Sequence, residues 1–119
     1  MKKLNSILFL FLITLAGALP AHAELLTPRS GHTTTLLPNG DILVTGGRDA
    51  SGNVLSSCEL YVSSYTVWKY TTPMTVSRSS HTATLLPDGT VMVYGGFLNN
   101  TGTISNTYQI FNPVDETWT

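Results

Sequence analysis

The sequence predicts an all-β protein made of two four-stranded antiparallel units, and three observations predict it. The stretch Arg29 to Gly47, RSGHTTTLLPNGDILVTGG, returns from Arg78 to Gly96 as RSSHTATLLPDGTVMVYGG, with twelve of nineteen residues identical. The later stretch CELYVSSYTVW, Cys58 to Trp68, returns as YQIFNPVDETW, Tyr108 to Trp118, one residue further offset. Each copy also places a Pro-Asn-Gly or Pro-Asp-Gly turn between two short runs of threonine, leucine and valine. A self-similar period near 50 is the mark of stacked supersecondary units.

Before the repeats comes a removable segment. Lys2 and Lys3 form a basic start, Ile7 to Leu19 an apolar run of thirteen residues, and Ala21 and Ala23 the small positions of an A-x-A site. This pattern is that of a bacterial-type secretory signal peptide over residues 1–23, cut after Ala23. A membrane-spanning helix needs about 20 apolar residues, so the run is too short for an anchor. The expected location is the periplasm or the exterior, with no membrane insertion of the mature chain.

The mature chain then carries Arg29, Arg48, Lys69 and Arg78 against seven acidic residues, a net charge of −3. That balance, with no basic stripe, argues against nucleic acid as a partner. Cys58 is the only cysteine, so no internal disulfide forms, and it reads as a small apolar side chain on a strand.

Within each unit the first strand is Thr33 to Leu37, matched by Thr82 to Leu86, because threonine and leucine in short runs suit a pleated, half-buried surface. Pro38-Asn39-Gly40 and Pro87-Asp88-Gly89 follow as a type I turn, with glycine at the left-handed position of a bulge. The second strand, Ile42 to Thr45 or Val91 to Tyr94, is apolar at nearly every position. Such a strand is covered on both faces, whereas a half-solvated one alternates. Third strands lie near Cys58 to Val62 and Tyr108 to Phe111. Fourth strands carry Val67 to Tyr70 and begin again at Thr117-Trp118.

Four antiparallel strands per unit, a double glycine and a late tryptophan resemble the kelch repeat. The matching residues are Gly46-Gly47 and Gly95-Gly96, Tyr61 with Trp68, and Phe111 with Trp118. The resemblance implies two kelch-type blades of a β-propeller, over residues 24–71 and 72–119, after the signal peptide of residues 1–23. Stacked repeats need at least about three units for stability, so two blades make an incomplete propeller. The expectation is a piece of a longer protein, with self-assembly of several copies into one ring as the rival.

The candidate site residues fall into structural and binding sets. The glycine pairs lack the G-K-[ST] of a phosphate loop, and their recurrence assigns them to close backbone packing. His32 and His81 recur without Asp, Glu or Cys at ligand spacing, so they read as structural histidines that hydrogen-bond backbone within their own unit, and no metal or other cofactor is expected. Trp68 and Trp118 read as packing between units. The long loops Arg48 to Ser56 and Phe97 to Asn106 fall at the end opposite the Pro-containing turns. Long polar loops on a rigid scaffold are where binding concentrates. Arg48, Asp49, Asn99 and Asn100 are therefore the candidate ligand contacts. Arg29 and Arg78 join them with a second reading, structural hydrogen bonding between units.

No nucleophile elbow and no recurring carboxylate pair appears, so no catalytic residue is assigned. The functional expectation is a secreted binding or interaction module for a protein or carbohydrate ligand. The alternative is the N-terminal piece of a larger propeller enzyme acting on carbohydrate, similar to galactose oxidase or a sialic-acid mutarotase.

Overall fold

The computed structural model describes residues 24–119; the signal peptide expected over residues 1–23 lies outside the described residues. These form two four-stranded antiparallel sheets, with no helix among the described residues. The first sheet runs β1 (Thr33–Leu36), β2 (Ile42–Thr45), β3 (Cys58–Val62) and β4 (Val67–Thr71). The second runs β5 (Thr82–Leu85), β6 (Val91–Tyr94), β7 (Tyr108–Asn112) and β8 (Thr117–Trp118). In both, each strand pairs with the next along the chain.

The tight turns form as their residues dictate. The Gly40 N–H donates to the Leu37 carbonyl at 2.9 Å, and the Leu37 N–H to Asp41 at 2.8 Å, with Gly40 at φ 92°. Gly89 repeats this at φ 89°. Without a Cβ, glycine takes that conformation at no steric cost. Asp41 then ties the two turns of its sheet together, accepting from the Ser63 N–H and hydroxyl.

The sheets lie face to face. Leu37, Leu43 and Leu60 of the first pack with Val91 and Phe111 of the second, and Trp118 is partly buried against them. Cys58, Met74 and Val93 form an adjoining cluster. At one side of the stack β1 and β5 lie beside each other. Near the other, Glu116 accepts from the Lys69 ammonium at 2.8 Å and the Thr71 hydroxyl at 2.6 Å.

The apolar second strands meet different fates. In β2, Leu43, Val44 and Thr45 are all buried, one face by the second sheet and the other on the side of Arg29 and Glu59. In β6, Val91 and Val93 are buried, but Met92 is half-buried and Tyr94 is 48 % exposed. The second sheet therefore has one face that nothing among the described residues covers.

Candidate functional site

The seam between the sheets is built from the recurring Arg-Ser-x-His and Gly-Gly segments. A Cβ on Gly46 would run into the Arg78 carbonyl, and one on Gly47 would lie 2.6 Å from the Ser30 carbonyl. Both glycines have positive φ, 63° and 99°. The gap left by the absent side chains lets the Gly47 N–H donate to the Arg78 carbonyl at 2.8 Å. The Arg78 N–H donates in turn to Leu55, and Met74 to Ser56. A Cβ on Gly96 would lie 2.6 Å from the Ser79 carbonyl, as one on Gly47 would from that of Ser30. Gly95 differs: a Cβ there finds its nearest atom, the Ser105 carbonyl, at 3.6 Å.

His81 sits in this seam and corrects one expectation. Its Nε2 does not bond backbone within its own unit; it lies 2.8 Å from the Thr45 hydroxyl and 3.2 Å from the Thr33 hydroxyl, both of the first sheet. Those hydroxyls are 2.6 Å apart, so three polar atoms close a small network. Burial lowers the His81 imidazole to about 4, and the Arg78 and His32 charges act in the same direction. His32 is lowered too, chiefly by burial and then by the Arg29 charge. Both rings are neutral at neutral pH.

The two arginines are also corrected, in the reach of their side chains. Arg29 and Glu59 form an ion pair of 2.7 Å with both side chains fully buried. Arg29 also donates to the Gly46 and Ser57 carbonyls, and Glu59 accepts from the Leu26 and Thr27 N–H groups. Arg78 is fully buried and donates to the carbonyls of Gly95 and Thr107 and the hydroxyls of Ser105 and Thr107. Each guanidinium is spent within its own sheet, so neither meets a surface ligand, and only the Arg78 backbone crosses the seam. Gln109 stands where the first unit has Glu59, so among the described residues Arg78 has no counterion, and its Nε, like Gln109 Oε1, has no hydrogen-bond partner. Burial holds Arg78 below the usual guanidinium range.

At the loop end, the structure brings the four remaining candidates into two roles. Asp49 and Asn99 organise their own loops. Asp49 Oδ1 accepts from the Ser51 and Asn53 N–H groups, and Asn99 Oδ1 from Thr101 and Thr103. The hydrogen bonds to its carboxylate hold Asp49 below the usual range. Arg48 and Asn100 join the two loops, with Nη1 donating to Oδ1 at 2.8 Å. The result is one polar surface shared by both sheets.

The opposite end carries a groove of about 300 Å³ that sequence reasoning missed. Leu37 and Pro38 line it from the first sheet; Asp88, Gly89, Asn112 and Val114 line it from the second. Ligand pockets start at about this size. The signal was faint: two similar turns, of which only the stacking of the sheets makes a cleft.

The aromatic pairs are structural. Tyr61 and Trp68 lie across β3 and β4 with ring centroids 5.1 Å apart, and Phe111 and Trp118 repeat this across β7 and β8. Phe111 is fully buried, and Trp118 Nε1 donates to the Thr72 carbonyl at 2.8 Å. Cys58 is fully buried with its thiol raised to about 11, so it stays protonated and inert. Among the described residues no group of three or more His, Cys, Asp or Glu side chains gathers as a metal site. Neither the family models nor the curated proteins searched contain a match to this chain.

Proposed function

We propose that the two sheets are kelch-type blades of a β-propeller, and that the chain is a secreted segment acting as a binding module. The blade reading draws support from the stack itself: equivalent segments of the two sheets, Arg-Ser-x-His and Gly-Gly, recur in register, and the seam between them is formed by those segments. The binding reading rests on one observation above the rest. Arg48 and Asn100 lock the two long loops into a single polar surface, and the Asp49 and Asn99 turns preorganise each loop. A preorganised loop surface loses little entropy when a ligand docks.

The test is a screen of the purified chain against glycan and peptide arrays, followed by titration of any hit. Replacing Arg48 and Asn100 with alanine lowers affinity at least about tenfold, the effect of losing roughly 1.4 kcal/mol of contact. Unchanged affinity in that variant, with loss on substitution of Val114 in the opposite groove, moves the site to the other end. Export is tested separately: mass spectrometry of the secreted product finds Glu24 as its first residue.

A further inference from the structure

The internal contact joins two unlike faces. The first sheet contributes Thr33, Leu43, Thr45, Cys58 and Leu60; the second contributes Val91, Val93 and Phe111. The repeat places a counterpart of each face on the outside of the pair. On the second sheet, Thr82, Met92, Tyr94, Tyr108 and Ile110 stand where Thr33, Leu43, Thr45, Cys58 and Leu60 stand on the first. On the first sheet, Ile42, Val44 and Tyr61 stand where Val91, Val93 and Phe111 stand on the second.

We propose that the uncovered face of the second sheet receives the first sheet of another copy of this chain, head to tail, in repetition of the contact already made inside each molecule.

Three features of the second sheet match that occupant. Tyr94 and Tyr108 pair across β6 and β7 and are 48 % and 59 % exposed, two large apolar rings side by side in solvent. The space that the Arg78 carbonyl fills against Gly46 is open against Gly95. The Gly96 N–H stands where the Gly47 N–H donates to Arg78, which in the assembly makes Arg29 of the second copy its acceptor. His32 of that copy then faces Thr82 as His81 faces Thr33.

Such an interface is heterologous: it buries one patch on each copy and leaves the other patch for the next. The contact keeps β1 beside β5, so its repetition turns about these strands, and the assembly proposed is the ring in which that turn closes. Closed rings of this kind hold about 4–8 sheets, or about two to four copies. The binding role proposed above does not depend on this assembly.

Sedimentation velocity on the full chain tests it. The wild type sediments as one closed oligomer of two to four times the monomer mass at micromolar concentration. Tyr94→Glu destroys the receiving face and Ile42→Glu the inserted face, so each alone is monomeric. Mixed in equal amounts they form a one-to-one dimer through the single intact pair of faces. Circular dichroism checks that both fold, and Leu36→Glu, on the same face as Ile42 and at a residue 64 % exposed, replaces Ile42→Glu if that variant unfolds. A wild-type monomer at every concentration overturns the proposal, whatever else then covers the face, a further repeat included. So does a Tyr94→Glu variant of wild-type mass, or a mixture that does not pair.

Discussion

His81 of the second sheet reaches across to Thr45 of the first, its Nε2 2.8 Å from the threonine hydroxyl. This contact works only while the imidazole is neutral, because the ring is buried and lies close to Arg78 and His32. Burial lowers its folded-state value to about 4, below the 6.5 of an unfolded chain. The unfolded state therefore takes up the proton first as pH falls. Stability is fully present above pH 6.5 and drops toward pH 4, at about 1.4 kcal/mol per pH unit, for a loss of about 3 kcal/mol. His32 is lowered in the same direction. Denaturant titrations between pH 4 and 7 read the slope, and His81→Gln flattens it. An unchanged slope in that variant assigns the pH response to other groups.

Gly46 and Gly95 occupy equivalent positions and respond differently to alanine. Both have positive φ, so each substitution carries the left-handed cost of about 1–2 kcal/mol. Gly46→Ala adds a clash with the Arg78 carbonyl, a backbone atom held by the Gly47 N–H, and costs about 1–3 kcal/mol more. Thermal unfolding of the two variants in parallel measures the difference. Equal losses would mean that the seam opens without cost.

Arg29 and Glu59 bury opposite charges against one another. Arg29→Met leaves the carboxylate unpaired in the interior and destabilises by about 3–5 kcal/mol. Arg78 lacks this partner, so Gln109→Glu gives the second sheet the pair that the first has. Its midpoint in urea rises at pH 7, and the gain disappears when the new carboxylate is protonated at low pH. A lower midpoint at pH 7 would show that the four carbonyl and hydroxyl acceptors around Arg78 already satisfy it better than a charge.

Arg48 and Asn100 belong to the surface. Alanine at either removes the exposed hydrogen bond between them, and at Arg48 also the long one to the Gly52 carbonyl; the unfolding midpoint stays within about 0.5 kcal/mol of wild type. Any change in binding by these variants is then a change in contact with ligand and not in the fold. A large stability loss would assign the loop bridge a structural role instead.

Most of the fold was legible before any coordinate. The duplicated Pro-x-Gly turns and their flanking threonine and leucine runs fixed where strands start and reverse, since turn conformation is decided by two or three adjacent residues. Strand limits moved by one residue, at Leu36, Thr71, Leu85 and Asn112. Close backbone packing was readable from the Gly-Gly pairs and holds at Gly46, Gly47 and Gly96; at Gly95 the space is open, and positive φ is what calls for glycine there.

The sequence by itself determined the strands, the turns and the equivalence of the two sheets, because those depend on local conformation and on a repeat visible by alignment. The tertiary structure alone decided the partners: that His81 crosses to Thr45, that Arg29 and Arg78 turn inward, that Arg48 meets Asn100, and that the turns at the far end enclose a groove. These contacts join residues 17 to 52 positions apart; those of Arg29 and Arg78 follow from strand pairing within a sheet, the others from how one sheet lies on the other. No local pattern encodes that distance. It is set by the burial of Leu43, Val91 and Phe111 between the sheets.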